Sequence, residues 1–431
     1  MKRSLILLVF VLPFIGCTSH KDYKLEQVII ASRHNVRAPL QSNINKMNQA
    51  VADSTIWLDW PNRKGELTPK GAAAERIFGQ YYKGWLEEKQ FIDSIQNQEA
   101  IYFAASPRQR TVESAKQFAN GLGITVSVVN EGLTSGEDRR FLPLFNDNLE
   151  GFDTLKFQIE AKKEMLEILA QKQEKLSKAY ELLESIVGYN ESPRAKESKI
   201  SHLSPADTCI RFRFYEKNGD SKNIKEPTAY GDLKAANRIS DAMILQFYEG
   251  TDEDFKAIGL TEKDIDKWRL LAEIKDCYSD ILFTEPIVSV NVSHGFLDLL
   301  YSQINAGKKL VFLCTHDTTL AALFVALQLE HFDIPAQNSI ESVTPVGVKF
   351  VIEKYSCGKE TFAKLRLLYQ TSDQIRYLQP LDNNNPPAII DLSFKGLTPN
   401  ADGYYRWEDF EQRIKETLDA FSKTAKGERP F

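Results

Sequence analysis

Apolar residues come along this chain in short unbroken runs, and several of the runs end abruptly at a polar string. Val28-Ile29-Ile30-Ala31 gives way to Arg33-His34-Asn35-Val36-Arg37-Ala38-Pro39. Ala100-Ile101-Tyr102-Phe103-Ala104 gives way to Ser106-Pro107-Arg108-Gln109-Arg110-Thr111, and Leu310-Val311-Phe312-Leu313-Cys314 to His316-Asp317. Runs of this length bounded by turn signals predict buried strands, and Ile124 to Val129 predicts another. Between them lie helical stretches. Thr68-Pro69 predicts a helix start, a capping side chain followed by proline in the first turn, continued from Gly71 to Trp85. Ser106-Pro107 predicts a second start of the same kind, with the helix running to about Asn120 and stopping at Gly121. Thr318 to Leu329 reads as a helix. Val348 to Ile352 alternates and is followed, after the turn Ser356-Cys357-Gly358, by Leu365 to Tyr369, which predicts a hairpin.

The pattern changes in the middle. Leu155 to Val187 is rich in Lys, Glu, Gln and Leu, with neither Gly nor Pro until Gly188, and predicts a long amphipathic helix or helix pair. Asp232 to Tyr248 and Trp268 to Tyr278 read as helices, and polar loops surround Ser192-Pro193 and Lys222 to Pro227. The fold class expected is α/β, a mixed sheet with helices on both faces and an inserted helical domain. Residues 18–145 and 284–431 would form the α/β domain and residues 146–283 a helical cap over it. In open sheets of this kind ligands bind beyond the carboxyl ends of the strands, where the three polar strings would lie.

The chain has 431 residues and a net charge of −5, so no basic nucleic-acid surface is expected. An anionic partner would have to be drawn by local charge, which Arg33 and Arg37 supply. Lys2, Arg3 and the apolar stretch Leu5 to Phe14 predict an export signal, too short to span a bilayer. The signal ends Phe14-Ile15-Gly16-Cys17, a small residue before cysteine that resembles a bacterial lipobox. That predicts cleavage before a lipidated Cys17 and attachment to a membrane of the cell envelope or periplasm. An ordinary secretory signal with Cys17 incidental is the alternative. Cys209, Cys277, Cys314 and Cys357 remain, an even number that permits disulfides in an exported protein without fixing a pairing. No Cys-x-x-Cys pair is present, so a structural zinc site is not expected, and nothing calls for a cofactor.

The three strings share one chemical character. A guanidinium is permanently charged and its planar fork matches phosphate oxygens. A histidine between two such forks is placed to attack phosphorus rather than only to bind or pack. Arg33, His34 and Arg37 come from the first string, Arg110 from the second, and His316 with Asp317 from the third. Each alone has an ordinary reading, as a solvated arginine, a loop histidine or an acid at a helix start. Their combination at successive strand ends does not.

Arg33-His34-x-x-Arg37-x-Pro39 with a distant His316-Asp317 resembles the histidine acid phosphatases, the branch of the histidine phosphatase superfamily with an inserted helical domain and a phosphoglycerate mutase-like sheet. Asparagine stands where glycine is commoner after the histidine. Arg-His-Asn-Val-Arg-Ala-Pro-Leu is most similar to the glucose-1-phosphatases of enteric bacteria. The similarity extends through Gly65-Glu66-Leu67-Thr68, Tyr180-Glu181-Leu182-Leu183-Glu184, Tyr248-Glu249-Gly250, Leu282-Phe283-Thr284 and Ala401-Asp402-Gly403. The resemblance implies that His34 is a nucleophile forming a phosphohistidine, that Arg33, Arg37, Arg110 and His316 clamp the phosphoryl group, and that Asp317 donates the proton to the leaving group. It implies no metal, and an acidic optimum, since a carboxyl donor acts only while protonated. It also implies that Glu249 contacts a sugar and repels a second phosphate. A solvated glutamate at a helix end is the equal alternative. The substrate expected is a small phosphomonoester of the glucose 1-phosphate type, with phytase activity on inositol phosphates as the alternative. A lipoprotein that binds phosphosugars without cleaving them is the reading from another class. The disulfide cysteines of the enteric relatives have no counterparts here.

Overall fold

The computed structural model describes residues 22–130, 138–147, 150–212 and 226–431. The export signal, Cys17 and most of the polar loop Lys222 to Pro227 fall outside the described residues. The strands are β1 (Lys24–Arg33), β2 (Ile101–Ala105), β3 (Val128–Val129), β4 (Thr208–Arg211), β5 (Thr228–Gly231), β6 (Leu310–Thr315), β7 (Lys349–Cys357), β8 (Glu360–Tyr369), β9 (Ala388–Asp391) and β10 (Tyr405–Arg406). The main sheet runs β10-β8-β7-β1-β6-β2-β3, with β9 also pairing β8, while β4 and β5 form a separate ribbon. From β1 through β6 and β2 to β3 the pairing is parallel, and from β1 through β7 to β8 it is antiparallel. The sheet is therefore mixed, as the pattern predicts.

The unbroken apolar runs are explained by burial on both faces. Val28 and Ile30 pack with Leu310, Phe312, Phe78 and Phe118 on one side. Ile29 and Ala31 pack with Val311, Leu313, Phe296 and Leu320 on the other. The first face is covered by the helices Pro69–Glu88 and Gln109–Leu122. The second is covered by Pro286–Asn305, Asp317–Ala326 and Trp407–Thr424. Between β3 and the Pro286 helix the chain is dominated by three long helices: Thr154–Val187, Asp232–Glu249 and Ile265–Phe283. Their apolar faces build a further core around Tyr180, Met243, Phe247 and Trp268.

Thr68 caps its helix as expected, its hydroxyl accepting from the Gly71 amide at 3.0 Å. Other expected boundaries move. The second helix starts at Gln109 with Arg108 at the cap position, so Ser106-Pro107 is not its start. It ends at Leu122, where Gly123 adopts φ +77°; a Cβ on Gly121 would lie 2.1 Å from the Arg76 carbonyl oxygen. Gly121 is thus a contact point between two helices, not a stop. The strand expected over Ile124 to Val129 is only Val128–Val129, and the helix expected over Thr318 to Leu329 is Asp317–Ala326. Leu155 to Val187 lies within one continuous helix. The four cysteines in the described residues are all free.

Candidate active site

Strands β1 and β2 flank β6, and all three run parallel, so their carboxyl ends finish at one sheet edge. The register pairs Arg33 with Thr315 and Ala105 with Cys314. Two backbone bonds then tie the loops that follow to β6. The His34 amide donates to the Thr315 carbonyl at 3.2 Å and the Ser106 amide to the Cys314 carbonyl at 3.0 Å. Three distant segments are in this way delivered to one place, and the rings of His34 and His316 stand 5.5 Å apart, centroid to centroid.

The hydrogen bonds assign both tautomers. His34 Nδ1 lies 2.8 Å from the Asn35 carbonyl oxygen, which can only accept, so Nδ1 carries the proton and Nε2 keeps its lone pair. His316 Nδ1 faces an Arg110 nitrogen at 3.4 Å, which can only donate. His316 Nε2 therefore carries the proton and donates to Ser106 Oγ at 3.1 Å. Burial, with Arg110, His316, Arg37 and Arg33 adding their charge, holds His34 well below the usual histidine range. Burial and Arg110 do the same to His316. Both rings are neutral bases in a cationic pocket.

The guanidiniums are held from behind. Arg33 donates to Glu341 at 2.6 Å and to the Thr344 carbonyl at 2.5 Å. Arg37 makes a two-pronged contact with Asp241, at 2.9 and 3.1 Å, from the Asp232–Glu249 helix. Arg110 reaches the Gly65 carbonyl at 3.3 Å, and burial beside Arg37 and Arg108 pushes it down to about 9. Desolvation first, and the neighbouring guanidiniums second, disfavour its charge, and an entering anion would favour it. Asp317, the first residue of its helix, bonds to the Thr318 amide and ion-pairs with Lys275, and it lies 3.6 Å from Arg33. Burial alone would raise this carboxyl; Lys275 and Arg33 outweigh it and hold it well below the usual range.

Beneath the loop lies a buried ion pair, Lys349 with Glu75 at 2.7 Å, both side chains fully covered. Asn35 bonds to Glu75 at 3.1 Å and accepts from the Val36 amide at 2.9 Å. The asparagine after the histidine is thereby built into the floor of the site. Glu249 ends its helix against the start of another, accepting from the Thr68 hydroxyl at 2.8 Å, while Lys70 donates to the Glu249 carbonyl at 2.7 Å. Burial, opposed by Thr68 and Lys70, raises its carboxyl. Thr68 in turn donates its amide to the Val36 carbonyl at 2.9 Å, which links Glu249 to the His34 loop.

The structure brings Arg33, His34, Arg37, Arg110, His316 and Asp317 together at one sheet edge. The sequence missed Asp241, Lys275 and Glu341, which hold the arginines and Asp317, and it misread Ser106 as a cap. The signal for Asp241 was available: an acid beside the apolar stretch Ala242-Met243-Ile244-Leu245 in a helix. Among the described residues no group of three or more His, Cys, Asp or Glu side chains is placed to hold a metal ion.

The chain is 30% identical to the glucose-1-phosphatase of Salmonella typhimurium, over 91% of this chain and 92% of that one. It is 29% identical to the glucose-1-phosphatase of Providencia rettgeri, over 94% and 95% of the two chains. The phytase from Citrobacter braakii shares the fold with a TM-score of 0.77 and 24% identity, covering 92% of this chain and 98% of that one. Residues 24–378 match the histidine phosphatase superfamily (branch 2), and the chain belongs to that family of phosphatases.

Proposed function

We propose that this protein is an exported phosphomonoesterase that cleaves small phosphate esters, sugar 1-phosphates of the glucose 1-phosphate kind among them, through a phosphohistidine on His34. The observation that carries the reading is a neutral imidazole whose Nε2 keeps its lone pair, beside the buried Arg33 and Arg37 and the half-buried Arg110. Phosphoryl transfer needs little covalent help from a protein beyond a nucleophile, in-line positioning and balanced charge. His34 Nε2 attacks phosphorus as the P–O ester bond breaks, Arg33, Arg37 and Arg110 balance the charge spread over the phosphoryl oxygens, and neutral His316 holds Arg110 in that clamp. Asp317, once protonated, gives its proton to the departing alkoxide. Water then attacks the phosphohistidine, the P–N bond breaks, and phosphate leaves a neutral His34. Covalent catalysis of this kind replaces one hard displacement with two easier ones.

Electrostatics of this sort suits acid pH. A histidine kept neutral well below its ordinary range stays nucleophilic at acid pH, while Asp317, held ionised by Lys275 and Arg33 in the empty site, acts as donor only once it has taken up a proton. The substrate assignment rests on the similarity to glucose-1-phosphatases and on Glu249, whose carboxylate beside Thr68 disfavours a second phosphate near the loop. The test is a panel of phosphomonoesters at pH 4 to 7. Inorganic phosphate is expected from glucose 1-phosphate in preference to phytate, His34→Ala is expected to remove turnover, and Glu249→Ala to raise the relative rate on phytate. Full activity of His34→Ala would overturn the covalent step, and a native preference for phytate would make the enzyme a phytase. The lipobox-like Phe14-Ile15-Gly16-Cys17 supports attachment to a membrane through Cys17. Cys17→Ser is expected to move the protein from the detergent phase to the aqueous phase on partition, and no such movement would leave a plain secretory signal.

A further inference from the structure

The Ile265–Phe283 helix sends one cation into the site from outside the sheet. Lys275 ion-pairs with Asp317 and lies 3.4 Å from Glu341, and its side chain is only 13% exposed. Burying an ammonium is costly unless it is paired, and this one is paired with the very carboxylate that the proposed mechanism uses as its acid. The groups around Asp317 come from four directions. Lys275 faces it from the helix, Arg33 from the end of β1, and His34 from the loop after β1. Arg110 acts from the helix after β2, and Glu341 stands behind Lys275 and Arg33. Arg33 is already held by Glu341 at 2.6 Å and by a carbonyl, so its position is fixed. Lys275 lies between two carboxylates, Asp317 and Glu341, and is the cation in the set free to favour either.

We propose that Lys275 is a positioning residue for proton transfer: it holds Asp317 ionised while the pocket is empty and releases it toward Glu341 when a phosphoryl group binds, so that Asp317 takes up the proton it will donate. The proposal rests on the phosphatase reading above. Charge balance supports it. With Arg33, Arg37, Arg110 and Lys275 against Asp241, Asp317 and Glu341, the described site carries one net positive charge. A phosphate dianion reverses that sign, and protonating Asp317 restores neutrality. The cost of protonation is set by the distance of the ammonium from Asp317, because an opposite charge within about 4–6 Å lowers a carboxyl by roughly 1–3 pH units. In the direct contact, Lys275 also blocks the donor by occupying its Oδ2. Moving to Glu341 frees both the charge and the oxygen. The proton taken up comes from solvent or from a substrate monoanion, and leaves with the alcohol, so Lys275 itself keeps its proton throughout.

The test is single-turnover phosphorylation at saturating ester, which reads ionisations in the bound complex. An alkyl phosphate needs the donor, whereas 4-nitrophenyl phosphate, with a stable leaving anion, hardly does. For Lys275→Met the alkyl-phosphate rate is expected to hold to higher pH, its alkaline limb moving up by about one unit or more. The nitrophenyl profile is expected to stay in place, and Lys275→Arg to restore the native limb. An alkyl limb unmoved in Lys275→Met, or an equal shift for both esters, would overturn the proposal. Lys275→Gln, which keeps a donor for both carboxylates, carries the same test if the methionine variant does not fold. Failure of the phosphatase reading looks different: the native protein would then cleave neither ester.

Discussion

Ser106 shows how one side chain changes meaning between sequence and structure. A serine before a proline is an ordinary helix cap in a sequence, and nothing local says otherwise. In the fold, β2 ends one residue earlier, and the hydroxyl accepts from His316 Nε2 at 3.1 Å while Arg110 approaches the opposite nitrogen. The ring is thus fixed between an acceptor and a donor, and its tautomer is fixed with it. Removing the hydroxyl leaves one buried N–H without a partner, a loss of about 1–3 kcal/mol that the ring can recover only by turning. Ser106→Ala is expected to lower kcat/KM on a phosphomonoester about tenfold, the equivalent of about 1.4 kcal/mol, with His34 still phosphorylated. Steady-state kinetics check this, and an unchanged kcat/KM would leave Ser106 a purely local role.

Among the elements, the Pro69–Glu88 helix does most to shape the loop that carries His34. Its cap residue Thr68 bonds the Val36 carbonyl, and a Cβ on Gly71 would fall 2.3 Å from that same carbonyl oxygen. No rotamer relieves a clash between a Cβ and backbone, so Gly71→Ala has to push the helix and the loop apart. Overpacking of this kind costs roughly 1–3 kcal/mol. The expected result is a fall in kcat with His34 displaced, read against a modest loss of stability by thermal unfolding. An active, unshifted variant would show that the loop does not depend on the helix for its place. The elements themselves were legible unevenly, for physical reasons. Strands β1, β2 and β6 could be read because burial on both faces leaves an unbroken apolar run. The Pro286–Asn305 helix could not, because Ile287, Val288, Val290 and Val292 mimic a strand's alternation and only packing on several sides makes the segment helical. Arg33, His34, Arg37, Arg110, His316 and Asp317 were readable from their type and their place after strands. Of the charges behind them, Asp241 was signalled by its apolar neighbours, but Lys275 and Glu341 were not, since a charge in a helix or loop is ordinarily a solvated one and only the fold shows which are covered.

At the scale of the molecule, the long helices between β3 and β6 and the sheet edge answer to each other through charge. Asp241 and Lys275 cross from those helices to Arg37 and Asp317, so a chain of net charge −5 keeps a locally positive site whose acids and bases are buried or half-buried. Burial on that scale also ties stability to pH. Asp276, next to Lys275, is buried and accepts from the Ser342 amide and hydroxyl at 2.9 and 2.6 Å. Burial outweighs those bonds and pushes its carboxyl up to about 6, from an ordinary 3.8. Below about pH 4 the group is protonated whether the chain is folded or not. Between about pH 4 and 6 the unfolded chain releases this proton while the folded one keeps it, so stability falls as pH rises through that window. At neutral pH the loss amounts to roughly 3 kcal/mol at most, at about 1.4 kcal/mol per unit. Glu285, pushed up to about 8 by burial, acts with the same sign, whereas the depressed His34 and His316 act against it as pH falls below about 6.5. Asp276→Asn imitates the protonated form and removes only the Asp276 part of the slope. The variant is expected to match the native protein near pH 4 and to exceed it in unfolding free energy near pH 7. Denaturant titrations at the two pH values measure this, and a native-minus-variant difference that does not change between them would mean that Asp276 does not hold its proton in the fold.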